Sequence, residues 1–291
     1  MKPIQAINNT TIDLSVADKN WRAELELGFS VKADRTILRK RRSVGPLVIQ
    51  RPFYPEDGVC HVYVLHPPGG IVGGDKLTTT INVDDGANVL LTTPGASKLY
   101  RSKKIFSAQK NYLNVNTGSL EWFPQECISF SGAHGVNRTK VCLHRQARFI
   151  GWEILCLGRP AANEVFEKGK VSMRFDIWRD DKPLLLDYLK ITGADELLTA
   201  PWGLRSYPCN ATFIAVGVNQ LLMETLRKKV TLKSDAIAGM TRIEDVLICR
   251  FLGHQAEHAK EYFTQLWRHL REAVIGKTIC CLLYTSPSPR D

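Results

Sequence analysis

Polar and apolar residues alternate along much of this 291-residue chain, and the pattern predicts a series of short β-strands. In residues 76–83, Leu77, Ile81 and Val83 recur at even spacing among polar residues, which is the period of a strand with one buried face. Residues 171–177 and 184–189, joined by a turn-forming segment, predict a hairpin. Further strands are predicted over residues 21–29, 60–65, 88–93, 149–157, 212–218 and 246–251, where 60–65 and 88–93 are short apolar runs typical of buried strands.

Helical periodicity is confined to residues 219–229 and 254–275. In the second segment, apolar residues recur at three- and four-residue steps and form one face about 100° wide. Numerous strands without interleaved helices exclude a doubly wound α/β fold. We therefore predict a mainly β protein with mixed sheets packed in layers and two helices, the longer at the C-terminus. Residues 21–280 are expected to form a single domain, and residues 1–20 a flexible N-terminal segment.

A glycine-rich loop, residues 66–75 (HPPGGIVGGD), lies between two predicted strands. Its glycines are expected where the backbone needs a positive φ or approaches another segment closely. A phosphate-binding P-loop is excluded, because Asp75 stands where that motif requires its lysine. Asp75, at the exit of the loop, remains a candidate ligand.

Composition narrows the function classes. The formal net charge is +10, with basic clusters at residues 35–42 and 227–229. Neither cluster is interleaved with aromatic residues, so we predict no nucleic-acid binding, and instead solvation or docking on an acidic protein. No apolar run is long enough to span a membrane, and residues 1–15 lack a secretory signal, which predicts a cytoplasmic protein. The cysteines in strand-like segments, Cys60, Cys142, Cys156 and Cys249, are interpreted as small hydrophobic residues.

Glu153 is the carboxylate with the clearest stereochemical argument. Alternation along residues 149–157 places it on the face of Phe149 and Leu155, while the opposite face is also apolar. A carboxylate in so apolar a strand must be paired with an arginine such as Arg159 or Arg250, face an internal cavity, or bind a metal.

Further candidate ligands lie where predicted strands end. Glu126, Glu164 and Asp75 are either turn carboxylates or oxygen ligands for a weakly held divalent ion. His254 and His258 stand four residues apart, and with a carboxylate they could serve a metal-dependent hydrolase, although no third ligand is apparent. No nucleophile elbow accompanies them.

Several long segments resemble one family, in the family's order. They include the stretch from Gly45 through the glycine-rich loop, and LLTTPGASKLYRS (90–102), LEWFPQE (120–126), WEILCLGRPAANE (152–164), PWGLR (201–205) and the closing FTQLWRHLRE. These segments are similar to the UreD (UreH) urease accessory proteins over roughly residues 21–277.

The resemblance implies a non-enzymatic protein that scaffolds a complex of apo-urease with a UreF-like adaptor and a UreG-like GTPase. It also implies nickel in transit rather than a permanently bound cofactor, with Glu153, Glu126, Glu164 and Asp75 as transient ligands. One position departs from the family pattern. Ser131 stands where an aspartate usually follows the PQE segment, so no metal role is carried to Ser131.

Residues 281–291 (CLLYTSPSPRD) do not continue the pattern of the chain. They resemble one reading frame of a transposase adaptor, whereas UreD-like chains usually continue from this point into a Pro-Arg-Ile-Trp segment. We expect these residues to be an adaptor artefact and the natural sequence to be cut short here.

Overall fold

The computed structural model describes residues 21–232 and 235–280. The predicted flexible segment 1–20 and the predicted adaptor segment 281–291 lie outside the described residues. Within the described part of the chain there are eighteen strands, two α-helices and two short 3₁₀ helices, Pro160–Ala162 and Glu196–Leu198. The prediction of a mainly β protein with mixed sheets is confirmed.

The first nine strands and the last nine are as follows. The first set is β1 Arg22–Lys32, β2 Arg35–Val44, β3 Val48–Ile49, β4 Val59–Leu65, β5 Gly70–Ile71, β6 Lys76–Val83, β7 Asn88–Thr92, β8 Ser97–Leu99 and β9 Ser107–Val115. The second set is β10 Ser119–Phe123, β11 Cys127–Ser129, β12 Ala133–Leu143, β13 Arg148–Leu157, β14 Gly169–Arg179, β15 Lys182–Thr192, β16 Cys209–Val216, β17 Ile237–Ile243 and β18 Val246–Gly253. The helices are α1 Gln220–Lys229 and α2 Ala256–Ile275.

The strands form two sheets. Sheet A has the order β15-β14-β12-β9-β6-β1-β2. Sheet B has the main order β17-β18-β16-β13-β10-β7-β4-β3, with β5, β8 and β11 as a side branch. The chain passes alternately from one sheet to the other between β4 and β14, so neighbouring strands within each sheet are parallel over this stretch.

This winding explains how parallel pairing arises without crossover helices. Parallel neighbours need a long connection, and here a strand of the opposite sheet provides it. The register of sheet B aligns Val59, Asn88, Ser119 and Arg148, so each coil of the chain advances by about thirty residues. Antiparallel strands complete both sheets at their margins.

The main core lies between the two sheets. Alternation along β13 points Phe149, Leu155 and Leu157 into this core, together with the carboxylate-bearing position Glu153. The other face of β13, including Trp152 and Ile154, belongs to a second core beneath the helices. The predicted assignment of both faces of this strand is confirmed.

Both helices pack on the outer face of sheet B. The side chain of Asn219 caps α1 by accepting a hydrogen bond from the Leu222 backbone N–H at 2.8 Å. Helix α2 begins at Ala256, two residues later than predicted, and the whole predicted apolar face is buried. Its rings, among them Phe263 and Trp267, pack against Phe123 and Trp152 of sheet B.

The glycine-rich loop behaves as its sequence predicts. Gly69 and Gly74 have positive φ angles of 68° and 96°. A Cβ atom on Gly70 would lie 1.8 Å from the ring of Tyr100, so this position tolerates no side chain. The loop therefore folds back tightly and places β5 beside β8.

Candidate functional site

Two cavities lie in the main core between the sheets. The first has a volume of about 240 Å³ and is bordered by the loops around His66 and Pro94. The second has a volume of about 260 Å³ and lies toward the β15 and β18 side, beside Asp187 and Arg250. Glu153 and Met173 line both cavities. The strand carboxylate thus stands at the junction of two internal spaces.

The sheet registers surround Glu153 with polar residues. In sheet A, one row of neighbouring inward positions runs through Thr79, Asn111, Thr139, Phe175 and Asp187. In sheet B, the facing row runs through Glu153, Thr212 and Arg250. We call these residues, apart from Phe175, the polar row. It crosses an otherwise apolar core in the direction perpendicular to the strands, and this arrangement defines the candidate site.

Hydrogen bonds connect the middle of the polar row. The Thr139 hydroxyl donates to Glu153 Oε1 at 2.5 Å, and the Asn111 amide nitrogen donates to the Thr139 hydroxyl at 3.0 Å. Burial raises the pKa of Glu153 to about 8; the Thr139 hydrogen bond lowers it and the nearby Asp187 charge raises it. Glu153 keeps some accessible surface because it faces the cavities, and it is a neutral acid over most of the physiological range.

The first cavity contains unused hydrogen-bond acceptors. Among the described residues, the side-chain carbonyl oxygens of Asn111 and Asn137 are buried without a hydrogen-bond partner, and both residues line this cavity. Buried acceptors of this kind need water or a cation. The thiol of Cys127 also lines the cavity, and burial raises its pKa to about 12, so it is protonated when no metal is bound.

An ion pair lies beside the second cavity. The Arg250 guanidinium donates to both carboxylate oxygens of Asp187 at 2.7 and 3.0 Å, and one of its nitrogens approaches the Thr212 hydroxyl at 3.4 Å. Arg250 is therefore not a partner of Glu153. Arg159, the other arginine considered for that role, pairs with Glu164. The structure places Glu153 against cavities and a hydroxyl group rather than in an ion pair.

The other predicted carboxylate ligands lie apart from the cavities. Asp75 is buried and accepts hydrogen bonds from the backbone N–H groups of Trp21 and Val72 at 3.2 and 3.0 Å, which holds the glycine-rich loop. Its charge raises the pKa of His66, although burial is the larger effect and lowers it. Asp75 thus stabilises the loop that borders the first cavity.

Glu126 and Glu164 each form an ion pair with a basic residue, and neither lines the two cavities. Glu126 pairs with Lys260 of α2 at 3.2 Å. Glu164 accepts hydrogen bonds from the Ser131 backbone N–H and from Arg159, and these lower its pKa. The structure does not bring Glu126, Glu164 and Asp75 together with Glu153, and a ligand role for any of the four stays a prediction.

The two histidines of the alternative hydrolase hypothesis do not share a helix face. His254 precedes α2 and contacts Asp235 at 3.4 Å and the ring of Tyr207, while His258 lies within the helix. In the described ranges, neither belongs to a group of three ligand atoms close enough to hold a metal. The geometry gives the hydrolase hypothesis no support.

Comparison with known proteins identifies the family to which the chain belongs. A family model described as UreD urease accessory protein matches residues 22–282. The chain belongs to the UreD family of urease accessory proteins. This membership confirms the predicted family and the prediction that the chain is not an enzyme.

Curated UreD relatives match nearly end to end. The urease accessory protein UreD of Alcanivorax borkumensis is 43% identical over 89% of this chain and 90% of the relative. That of Aliivibrio fischeri (strain MJ11) is 42% identical over 91% and 96%, respectively. Urease accessory protein UreD 2 of Brucella anthropi is 42% identical over 88% of this chain and 95% of the relative.

Among the described residues, neither helix combines the length and the apolar composition that a membrane span requires.

Sequence reasoning missed most of the polar row. Alternation places Asn111 and Thr139 on inward faces, but their alignment with Glu153 depends on the sheet register. It also missed Arg271, which is fully buried on the inner side of α2. The available signal was its position one residue after Leu270 and four after Trp267, within the apolar face of the helix.

Proposed function

We propose that this UreD-family chain acts in the cytoplasm as a scaffold that binds apo-urease together with a UreF-like adaptor and a UreG-like GTPase. We also propose that the polar row guides nickel toward the urease active site. Family membership supports the maturation role, because the relatives that match this chain are named urease accessory proteins. The observation that carries the nickel path is the position of Glu153 at the junction of two cavities.

The chemistry of the polar row suits a metal in transit. Its ligand atoms are hydroxyl, amide and carboxylate oxygens, which hold nickel more weakly than imidazole or thiolate ligands do. Glu153 is neutral at pH 7, so a passing cation displaces its proton and leaves no permanent buried charge behind. The surrounding apolar core shields Asn111 and Thr139, in the middle of this path, from bulk water.

The ion pair beside the second cavity fits a controlled entrance or exit. Asp187 supplies an anionic group that attracts a divalent cation, while Arg250 neutralises it at rest. An acidic group on a partner could compete for Arg250 and free Asp187 for the metal. The resting path would then be closed to free cations and opened in the assembled complex.

The maturation role is tested by co-expressing urease and the other accessory proteins with and without this chain. We expect urease purified without it to contain little nickel and to show little activity. Unchanged nickel content and activity would rule out the role. Size-exclusion chromatography of the co-expressed proteins tests the scaffold directly, since it predicts that this chain elutes together with apo-urease and the UreF-like adaptor.

A further inference from the structure

A second polar cluster lies beneath the C-terminal end of α2, away from the polar row. Its centre is Arg271, whose guanidinium is fully buried between Glu121 of β10 and Glu56 of the β3–β4 loop. Arg271 donates to Glu121 through Nε at 3.0 Å and Nη2 at 2.9 Å. Trp267 also donates to Glu121, at 2.5 Å. These contacts fix the end of α2 to sheet B.

Glu56 has further neighbours that the anchoring of α2 does not require. Its Oε1 lies 2.7 Å from Nε2 of the buried His61 and 2.5 Å from Arg271 Nη2. The Sγ of Cys280 completes a group in which the imidazole, carboxylate and thiol ligand atoms all lie within 4.8 Å of one another. Among the described residues, this is the group of three His, Cys, Asp or Glu ligand atoms that meets this criterion.

We propose that Glu56, His61 and Cys280 form a binding site for a borderline divalent transition metal, of the class of Zn²⁺ or Ni²⁺. One nitrogen, one oxygen and one sulfur ligand are the set that such ions accept, whereas Mg²⁺ and Ca²⁺ require oxygen ligands. The site stands apart from the nickel path proposed above, because none of its three residues lines either cavity of the polar row.

The geometry needs only small side-chain movements to close around an ion. Metal–ligand bonds of about 2.0 to 2.3 Å place tetrahedral ligand atoms roughly 3.3 to 3.8 Å apart. The present separations lie between 2.7 and 4.8 Å, on both sides of that range. Arg271 can stay in place, because Glu121 keeps its Nε and Nη2, and Nη1 donates to Glu56 Oε2 at 2.8 Å. Water would occupy the fourth position.

The charges of the cluster favour a cation. Two carboxylates, Glu56 and Glu121, face one guanidinium, which leaves one negative charge in a buried environment when His61 is neutral. Binding a divalent ion releases the Cys280 proton to solvent and produces a thiolate. The two positive charges of the ion then balance the thiolate and the residual carboxylate charge, so the occupied cluster is neutral.

The test is a titration of the full, reduced, metal-free chain with Co²⁺, whose bond to a thiolate gives a charge-transfer absorption in the near ultraviolet. We expect this absorption to saturate at one Co²⁺ per chain and Zn²⁺ or Ni²⁺ to remove it by competition. Cys280→Ser should abolish it. His61→Gln, which keeps a side chain of similar length, should weaken Co²⁺ binding by about tenfold or more.

Two thiol variants serve as controls. Cys281→Ser removes the next thiol in the sequence, and Cys142→Ser removes a partly exposed thiol of β12, and both should retain the absorption. No absorption in the unmodified chain, an absorption that survives Cys280→Ser, or an unchanged Co²⁺ affinity in His61→Gln would overturn the site. Its loss in Cys281→Ser would also overturn it, because the thiolate ligand would then be a different one. Circular dichroism confirms that each variant is folded before it is titrated.

Discussion

Thr139 of sheet A donates a hydrogen bond of 2.5 Å to Glu153 of sheet B, across the interface between the two sheets. Together with the Asp187–Arg250 ion pair, it joins the two facing halves of the polar row. The same hydroxyl accepts a hydrogen bond from Asn111, so an amide, a hydroxyl and a carboxyl group form one chain of polar contacts inside an apolar core.

Glu153→Gln should stabilise the fold near neutral pH. The folded-state pKa of Glu153, about 8, lies above the ordinary glutamate value of 4.5. The contribution of its protonated form to stability is therefore present below pH 4.5 and is lost as the pH rises toward 8. The neutral glutamine escapes that loss. We expect the free energy of unfolding of the variant to exceed that of the unmodified chain by roughly 1 to 3 kcal/mol at pH 7.5 and by little at pH 4.5. Urea unfolding at both values measures this, and equal differences at both would contradict the raised pKa.

Thr139→Val should shift the pH dependence of nickel delivery. The Thr139 hydrogen bond lowers the pKa of Glu153, so its removal raises that pKa and requires a higher pH for the carboxylate to bind a cation. We expect the pH midpoint of nickel loading into urease to rise and the fold to lose about 1 to 3 kcal/mol, because two buried polar groups lose their partner. Thr80→Val, on the outward face of β6, is the matched control. An unchanged pH midpoint would show that Thr139 does not influence nickel binding by Glu153.

The ion pair at the second cavity predicts opposite effects for its two members. Asp187→Asn leaves the positive charge of Arg250 unopposed and should lower nickel loading at limiting nickel. Arg250→Gln leaves the negative charge of Asp187 free and should raise it under the same conditions. Nickel uptake into urease at several nickel concentrations checks the signs. Equal effects of the two variants would show that nickel does not pass this ion pair.

Arg271→Met should destabilise the protein strongly, because it leaves the buried carboxylate of Glu121 without its counter-charge and removes one of the two ion-pair partners of Glu56, the other being His61. Breaking a buried ion pair from one side costs about 3 to 5 kcal/mol. Arg268→Met, on the exposed face of the same helix, should cost little. Denaturant titration of both variants measures the difference, and similar values would mean that Arg271 does not anchor α2.

The sequence predicts the elements of this fold better than their partners. Alternation identifies β6, β13 and the hairpin β14–β15, a short apolar run identifies β4, and helical periodicity identifies α1 and α2. It does not predict the parallel winding between sheets, because alternation specifies which face of a strand is buried but not which strand lies beside it. The coils of about thirty residues carry no visible sequence repeat, and only the register of Val59, Asn88 and Ser119 reveals them.

The residues of the candidate site are likewise only partly predictable from the sequence. Glu153 could be identified because a strand with two apolar faces rarely contains a carboxylate. Thr79, Asn111 and Thr139 look ordinary in sequence, since small polar residues are common on strands, and their alignment comes from pairings between distant segments. Arg271 was missed because a charged residue on an amphipathic helix is usually assigned to solvent, while its partners, Glu56 and Glu121, are 215 and 150 positions away.

The central claim is that nickel reaches urease along the polar row and binds Glu153 on the way. The most direct measurement is the nickel content of urease matured in the presence of Glu153→Gln, which preserves size and hydrogen bonding but removes the ionisable group. Glu257→Gln, at an exposed carboxylate of α2 that lines neither cavity, is the control. We expect Glu153→Gln to lower nickel per urease active site several-fold while apo-urease and the accessory proteins still co-purify with this chain. Full nickel content with Glu153→Gln would contradict the account.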